Sequence, residues 1–300
     1  MSTPAVSQTD LEGLKLLARG KVRDIYDLGD QLLIVATDRI SAFDWVLDTP
    51  IPDKGRVLTQ ISVFWFEFLK DLVPHHLVAA DVDEMPEKVR RHADILRGRS
   101  MLCKKAKPFE AECIVRGYLV GSGWKDYQRT GAVCGIELAP GLSKGAKISP
   151  AIFTPSTKAD VGEHDENIDG DAFLSIVGAE RGARLKELSL EAFRRVREYA
   201  ADRGVVICDT KLEFGLFDDQ IILIDEAFTP DSSRFWKADE IASTPAGTDP
   251  PSFDKQVVRD WLESTDWDQA SPPPRIPDDI LATARSRYLD IYERLTGQPL

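Results

Sequence analysis

Residues 205–226 most constrain what this chain can fold into. Residues 205–216 begin as a continuous apolar run, and residues 220–226 follow after a short connection, Phe217-Asp218-Asp219. A continuous apolar run of this length is typical of a buried strand. We therefore predict a strand pair here that belongs to the central sheet.

Charged residues occupy one face of the first of these strands. Side chains alternate across a strand, so Asp209, Lys211 and Glu213 share a face, with apolar residues on the other. A three-residue connection would set Glu213 opposite Asp225 on that face, whereas a two-residue turn would not. Two neighbouring carboxylates repel, and Mg²⁺ held between them and triphosphate oxygens would remove that repulsion. The alternative is an exposed sheet face of paired charges.

The rest of the chain alternates hairpins with amphipathic helices. Residues 21–26 and 31–36 read as two strands joined by a turn, and residues 57–72 and 184–203 carry apolar residues at helical spacing. Residues 243–277 are rich in Pro, Ser and Asp and predict a surface-wrapping tail before a last helix at 278–296. This succession predicts an α+β architecture without internal repeats.

Composition excludes several classes of protein. The 300 residues carry a formal net charge of -12, which argues against a nucleic-acid-binding surface. Four cysteines without CxxC spacing predict reduced, structural thiols. We find neither a secretory leader nor the ~20 apolar residues that a bilayer span needs, so a cytoplasmic location with no membrane partner is expected.

Four further segments place cations or hydroxyls beside glycine or proline, where backbone amides approach an anion closely. They are residues 18–24 (ARGKVRD), 116–124 (RGYLVGSGW), 154–158 (TPSTK) and 231–236 (DSSRFW). Each also has an ordinary structural interpretation, as a charged edge strand, a turn or a polar loop. No Walker-type glycine loop is present in the sequence, which disfavours the common NTPase scaffold.

Taken together and in this order, six blocks resemble the phosphoribosylaminoimidazole-succinocarboxamide synthase family, also called SAICAR synthetases. The blocks are ARGKVRDIYD, ATDRISAFD, ECIVRGYLVGSGWKDY, FTPSTKAD, DTKLEFG and DEAFTPDSSRFW, and they run from about residue 16 to 236. The resemblance implies an ATP-grasp-like fold. Residues 1–110 would form a sheet domain covering the nucleotide, and residues 111–300 a larger catalytic domain.

The resemblance also implies an activity in purine synthesis. The carboxylate of carboxyaminoimidazole ribonucleotide would be joined to the amine of L-aspartate, with ATP and Mg²⁺ as cofactors and ADP and phosphate as by-products. Activation as an acyl phosphate is the sensible first step, because a carboxylate has a poor leaving group. The GYLVGSGW block and the long tail resemble the longer members of the family, and a monomer is expected.

Site residues implied by the resemblance fall into three groups. For ATP they are Gly20, Lys21, Arg23, Lys105, Glu112 and Lys211. The catalytic residues are Lys211, Glu213 and Asp225, of which Glu213 and Asp225 hold Mg²⁺. Around the ribonucleotide lie Asp38, Ser41, Arg116, Ser122 and Arg234, and Ser156, Thr157 and Lys158 receive L-aspartate.

Two rival functions share parts of this pattern. A kinase also combines a glycine-bearing hairpin, a lysine and acidic metal ligands, although the protein-kinase motifs His-Arg-Asp and Asp-Phe-Gly are missing from the sequence. A nucleotide-sensing module would keep the hairpin and Lys211 but would not need Glu213 or Asp225. The presence of both carboxylates favours an enzyme.

Overall fold

The structure is a computed structural model that describes residues 4–43, 45–158, 165–241, 243–244, 247–248, 250, 252–253 and 255–300. Its strands are β1 (Lys15–Arg19), β2 (Arg23–Asp27), β3 (Gln31–Ala36), β4 (Ser41–Ala42), β5 (Trp45–Val46), β6 (Leu77–Ala79), β7 (Ser100–Lys104), β8 (Lys107–Pro108), β9 (Ala111–Tyr118), β10 (Ala132–Val133), β11 (Ile136–Glu137), β12 (Lys147–Phe153), β13 (Ser156–Thr157), β14 (Val205–Phe217), β15 (Gln220–Ile224) and β16 (Ser233–Lys237). Its helices are α1 (Lys54–Leu69), α2 (Glu87–Arg90), α3 (Ala93–Leu96), α4 (Gly121–Thr130), α5 (Gly170–Val177), α6 (Ala179–Ala201), α7 (Ala238–Ile241), α8 (Gln256–Glu263) and α9 (Asp278–Thr296). A 3₁₀ turn spans Val82–Glu84.

Two antiparallel sheets organise these elements and confirm the predicted α+β class. The first has the strand order β1-β2-β3-β7-β6, and the second has β12-β9-β14-β15, with β8, β13 and β16 pairing along its strands. Strand β14 is flanked by β9 and β16 and by β15 and β8 along its 13 residues, as expected for a buried central strand. The chain passes from the first sheet to the second between β7 and β8. The division into two domains at residues 110 and 111 stays a prediction.

The predicted helices exist, with shifted ends. Helix α1 begins three residues before the predicted start, and the backbone turns at its end, where the amides of Leu72 and Val73 donate to the carbonyl of Leu69. Helix α6 begins five residues early, after Gly178. Gly204, with φ of 68°, adopts the left-handed conformation that was expected to close the helix.

The tail, which was predicted to wrap the surface, also contributes buried residues to the hydrophobic core. Phe253, Val258 and Leu262 are fully buried in the main hydrophobic core, and α9 packs along α1. Arg285 of α9 also pairs with the buried Asp53, at 2.6 Å between Nη2 and Oδ2. The polar composition of residues 243–277 hides these few apolar anchors, so sequence reasoning identified only the last helix, whose bounds it gave correctly.

All four cysteines, Cys103, Cys113, Cys134 and Cys208, are buried and form no disulfide. Burial raises the pKa of the Cys113 thiol to about 12 and that of Cys134 to about 11. The prediction of reduced structural thiols is confirmed. Among the described residues, we identify no helix that is long and apolar enough to cross a membrane.

A short extended segment, Pro74–His76, joins the two sheets. The amide of His76 donates to Leu223 of β15 at 3.0 Å, and the amide of Leu223 donates back to Pro74 at 2.9 Å. On the other side, the amide of Lys104 in β7 donates to the carbonyl of His76 at 2.7 Å. We call Pro74–His76 the sheet junction, since it hydrogen-bonds to both sheets at once.

His76 gives the sheet junction a measurable pH dependence. Its ring is buried, lies 3.7 Å from the Cys103 sulfur and bonds to the Asp225 backbone, and burial lowers the pKa of the imidazole to about 4. Between about pH 4 and 6.5, the unfolded chain therefore binds a proton at His76 that the folded chain does not bind. The contribution of His76 to the free energy of unfolding is fully present only above about pH 6.5. We expect a loss of about 3 kcal/mol in the free energy of unfolding from this residue as the pH falls from 6.5 to 4.

Urea unfolding of His76→Gln and of the wild type across pH 4.5–7.5 measures this contribution. The difference in the free energy of unfolding between the two proteins should become smaller as the pH falls. His92→Gln, which changes a half-buried histidine outside the sheet junction, is the control. A difference that is constant with pH would show that His76 does not carry the effect.

Candidate active site

A cleft of about 260 Å³ lies where β9, β14 and β16 meet. Strands β9 and β14 pair with Arg116 opposite Asp209 and Ile114 opposite Lys211, so charged residues from both strands reach the same space. The lining residues come from strands and loops of the second sheet, from the start of α4 and from the tail: Glu112, Ile114, Arg116, Ser122, Ser156, Asp165, Asn167, Asp209, Thr210, Lys211, Pro230, Asp231, Ser232, Ser233, Arg234, Lys255 and Arg259. Asp209 and Lys211 of the predicted charged face of β14 therefore line a cavity, with Glu213 next to Lys211, and this face is not an exposed sheet surface.

Lys211 lies between two carboxylates. Its Nζ is 2.5 Å from Oε1 of the buried Glu112 and 3.0 Å from Oε1 of Glu213, whose Oε2 is 2.6 Å from Nζ of Lys158. Ser156 donates its hydroxyl to the second oxygen of Glu112 at 3.0 Å. Burial alone would lower the pKa of Lys211, but Glu213 and Glu112 outweigh it and raise the pKa. The ammonium is therefore kept charged, as a phosphate-binding cation requires.

A second cluster, at the other end of the cleft, is built around Asp209. Its Oδ2 accepts from Nη1 of the buried Arg116 at 3.0 Å and also from Arg234, so one carboxylate serves two guanidinium groups. Arg116 donates further to Ser122 at 2.8 Å and to Thr154 at 3.0 Å. Burial lowers the pKa of Arg116, Asp209 only partly restores it, and Arg234 lowers it further. The cluster has two guanidinium groups for one carboxylate, so its net positive charge favours a bound anion.

A third cluster connects the first hairpin to the end of β15. Arg23 of β2 pairs with both Asp225 and Glu226. Burial would raise the pKa of Asp225, but Arg23 and Lys211 hold it below its ordinary value. The carboxylate is therefore ionised and close to the Lys211 cluster.

The structure corrects the predicted register of β14 and β15. Phe217 pairs with Gln220 across a two-residue turn of Asp218 and Asp219, both with positive φ, so Glu213 lies opposite Ile224 and not opposite Asp225. Asp225 follows the strand in a left-handed conformation, with φ of 64°. Its carboxylate reaches the charged cluster through this backbone turn and not through strand pairing.

Several predicted residues lie outside the cleft lining. The carboxylate of Asp38 is fully buried and accepts from the amides of Val6 and Gly55 and from Arg99. Lys105 pairs with Asp27 at 3.0 Å on the exposed side of the first sheet.

Four more predicted residues lie on loops or short strands and are also outside the cleft lining. Gly20 and Lys21 form the β1–β2 loop, where their carbonyls accept from Arg39. Ser41 begins β4, and the hydroxyl of Thr157 accepts from the amide of Glu166 at 3.0 Å. The roles assigned to these residues stay predictions.

Sequence reasoning missed Lys255 and Arg259, which the tail brings to the cleft. The available signal was their spacing of four residues, which places two cations on one side of a helix. It also missed Asp165 and Asn167, which follow the TPSTK segment and carry no recognisable pattern.

Comparison with known proteins identifies the family. The family model described as SAICAR synthetase matches residues 16–274. The chain belongs to the SAICAR synthetase family. This match confirms the resemblance predicted from the six sequence blocks, and it extends through the tail.

Curated relatives agree over the full length. A phosphoribosylaminoimidazole-succinocarboxamide synthase from Pelobacter propionicus is 53% identical over 297 residues, covering 99% of each chain. The synthase of the same name from Thermodesulfovibrio yellowstonii is 54% identical over 292 residues, covering 97% of this chain and 99% of the relative. The predicted enzyme class, a carbon–nitrogen ligase of purine biosynthesis that joins carboxyaminoimidazole ribonucleotide to aspartate, is confirmed.

Solved SAICAR synthetases share the fold. The SAICAR synthase of Saccharomyces cerevisiae, solved in complex with SAICAR, superposes with a TM-score of 0.88 at 41% identity and covers 99% of both chains. A SAICAR synthetase from Pyrococcus horikoshii, at 24% identity and a TM-score of 0.67, shares the fold over 93% of this chain. The kinase and the sensing-module alternatives lose their support.

The acidic residues in and beside the cleft suit a metal ion that a bound ligand also coordinates, and they suit a metal ion held by protein side chains alone less well. Within the described ranges, no group of three or more His, Cys, Asp and Glu side chains is arranged to hold a metal ion. Glu213 and Asp225 offer two carboxylates that both interact with the charge of Lys211. Mg²⁺ is commonly bound by one or two carboxylates together with substrate phosphates.

Proposed function

We propose that this SAICAR synthetase forms the amide through an acyl phosphate made from ATP in the cleft of Lys211. The observation that carries the proposal is the position of Lys211 between Glu112 and Glu213. Asp225 is close enough to help raise the pKa of Lys211. The Arg116–Asp209–Arg234 cluster shares the same cavity. A phosphate-binding centre and an anion site are thus adjacent.

The chemistry proceeds in two balanced steps. A carboxylate oxygen of the ribonucleotide attacks the γ-phosphorus of ATP, the bond to the β–γ bridging oxygen breaks, and ADP leaves. The neutral amine of L-aspartate then attacks the acyl carbon, and the bond from that carbon to the phosphate-bearing oxygen breaks. Inorganic phosphate leaves with the former carboxylate oxygen, and the amine proton passes to solvent.

Charge pairing in the cleft supports binding of ATP phosphates. In the structure Lys211 and Lys158 pair with Glu213, and Arg23 pairs with Asp225. Phosphate oxygens would take over the cations, together with Gly20 and Lys21 of the hairpin, while Mg²⁺ would be held by Glu213 and Asp225. The bound ion supplies a positive charge that offsets the negative charge building up on the transferred phosphoryl group.

The remaining residues receive roles by position. Arg116, Ser122 and Arg234 would bind the ribonucleotide, since a guanidinium recognises phosphate through parallel hydrogen bonds. Ser156, Thr157 and Lys158 would receive L-aspartate beside Glu213. Asp38, whose carboxylate accepts hydrogen bonds from backbone amides and from the buried Arg99, would support the ribonucleotide site together with Ser41. Lys105 and Glu112 would lie near the nucleotide. We further propose that the enzyme is a monomer.

An oxygen-isotope experiment tests the acyl phosphate. The ribonucleotide is prepared with ¹⁸O in its carboxylate and turned over with Mg-ATP and L-aspartate. We expect one ¹⁸O per turnover in the inorganic phosphate, measured by mass spectrometry, because that oxygen leaves with the phosphoryl group. Unlabelled phosphate with labelled amide product would exclude the intermediate. Omission of L-aspartate, which should suppress product formation, is the control.

A further inference from the structure

The loop between β1 and β2 has little packing of its own. All five residues of β1 are exposed, and the strand lies at the edge of the first sheet beside β2. Within the loop, the amide of Gly20 donates to the carbonyl of Arg23 at 2.8 Å. A segment with so few buried contacts needs a further anchor to keep a single conformation.

Arg39, which follows β3, supplies this anchor from inside the molecule. Its side chain is 10% exposed. Nη2 donates to the carbonyl of Gly20 at 2.9 Å and to that of Arg23 at 3.2 Å, and Nε donates to the carbonyl of Lys21 at 3.1 Å. Nη1 donates to the carbonyl of Ser7 at 2.6 Å. One guanidinium therefore holds the loop backbone at both ends and ties it to the N-terminal segment.

The buried Asp24 of β2 orients Arg39. Its Oδ1 accepts from Nη2 of Arg39 at 2.9 Å and from Nε of Arg19 at 3.1 Å. Its Oδ2 accepts from the amide and the hydroxyl of Thr9 at 2.7 and 2.8 Å. Burial would raise the pKa of this carboxyl, but the hydrogen bonds from Thr9 and Arg39 hold the pKa below its ordinary value. The charge of Arg39 is thus matched inside the protein, and what Arg39 contributes to the loop is geometry.

The direction of the loop carbonyls determines where the loop amides point. A trans peptide group directs its C=O and its N–H to opposite sides, and the peptide groups that follow Gly20 and Lys21 are trans. Both carbonyls turn toward Arg39, so the amides of Lys21 and Val22 point away from it. Backbone amides that a glycine-containing loop presents on one side form a binding site for phosphate oxygens.

We propose that Arg39 is a positioning residue for ATP, which holds the first hairpin so that the amides of Lys21 and Val22 bind the phosphates. This inference rests on the proposed function, in which the hairpin covers those phosphates. Arg39 acts through the loop and not on the substrate, because its N–H groups are used within the protein. Its bond to the Arg23 carbonyl also fixes the backbone from which the Arg23 guanidinium reaches Asp225.

The test compares Arg39→Lys with the matched variant Arg19→Lys. Both arginines bond to Asp24, but Arg19 donates to the carbonyl of Thr9, outside the loop. Lysine keeps the positive charge beside Asp24 and loses the planar fork of donors. We expect the KM of ATP to rise by about 10- to 100-fold in Arg39→Lys, because displaced amides lose hydrogen bonds to a charged ligand. The KM values of the ribonucleotide and of L-aspartate should stay within about twofold. Arg19→Lys should leave all three KM values unchanged.

Equilibrium binding separates a lost phosphate contact from general damage. Titration calorimetry is carried out with Mg-ATP and with adenosine, which has the base and the ribose but no phosphate. Arg39→Lys should bind Mg-ATP more weakly than the wild type and should bind adenosine equally well. Equal weakening for both ligands, an unchanged KM of ATP, or the same loss in Arg19→Lys would overturn the assignment.

A measurement on the wild type keeps the inference testable if Arg39→Lys does not fold. Hydrogen exchange at the amides of Lys21 and Val22 should slow when Mg-ATP binds and should not change with adenosine. Unchanged exchange in the presence of Mg-ATP would overturn the inference. Normal ATP binding by Arg39→Lys, with ¹⁸O transfer to phosphate intact in the wild type, would overturn this inference alone. A wild type without ¹⁸O transfer would instead contradict the proposed function.

Discussion

Asp225→Asn is expected to lower kcat by about 10³-fold while the protein stays folded. The substitution removes the charge of a carboxylate that is proposed to hold Mg²⁺, and charge stabilisation by a metal is worth several kcal/mol, at 1.36 kcal/mol per factor of ten. Asparagine keeps the shape of the side chain and tolerates the left-handed backbone, here at φ of 64°. Arg23 keeps Glu226 as an ion-pair partner. Steady-state ADP release measures the effect.

Asp219→Asn provides a matched control. It makes the same substitution at another aspartate with positive φ, 60°, in the exposed turn between β14 and β15. Its kcat should equal that of the wild type. Added Mg²⁺ should not restore Asp225→Asn at any concentration that saturates the wild type. Turnover within about tenfold of the wild type in Asp225→Asn would remove this carboxylate from the catalytic site.

Arg116→Ala is expected to affect both ligand affinity and stability. A guanidinium hydrogen-bonded to a phosphate contributes roughly 1.5–3 kcal/mol, so the KM of the ribonucleotide should rise by about 10- to 150-fold. Arg116 is also a buried partner of Asp209, and breaking such a pair costs on the order of 3–5 kcal/mol. Because Asp209 keeps Arg234 as a partner, we expect the loss of stability at the lower end of that range.

The two effects separate in independent measurements. Urea unfolding without substrates gives the change in stability, and kinetics at a temperature where the variant is fully folded gives the KM values. The KM of ATP serves as an internal control and should stay within about twofold, since Arg116 lies in the Asp209 cluster and not beside Lys211. An unchanged KM for the ribonucleotide in the folded variant would exclude Arg116 from the substrate site.

The main helices and the central strand could be predicted from the periodic spacing of apolar residues in the sequence. The apolar stripes of α1 and α6, the alternation in β14 and the bounds of α9 follow directly from side-chain spacing. The two-residue turn at Asp218 and Asp219 could not be predicted, because such a turn with positive φ at both positions normally carries glycine at the second position. Two aspartates gave no such signal, and the register prediction was wrong for that reason.

The site was only partly predictable. Lys211 and Glu213 share a face of one strand, so local alternation was enough to place them together. The pairing of Arg116 with Asp209 spans 93 residues and depends on β9 lying beside β14, which no local pattern specifies. The positions of Lys255 and Arg259 depend on the attachment of the tail to β16 at Phe253 and on a few other buried apolar residues in a mostly polar segment. Long-range contacts of this kind are fixed by tertiary packing.

The sheet junction has a consequence for how the protein folds and loses structure. Pro74–His76 belongs to the first half of the chain, yet its hydrogen bonds close the edge of β15 in the second half. A fragment ending near residue 110 would leave these groups without partners, and a fragment starting there would expose a sheet edge open to aggregation. Local opening at this point would loosen both sheets together, in one cooperative unit. We therefore expect the two sheets to unfold together, and we expect Arg23 to couple changes at Asp225 to the first hairpin.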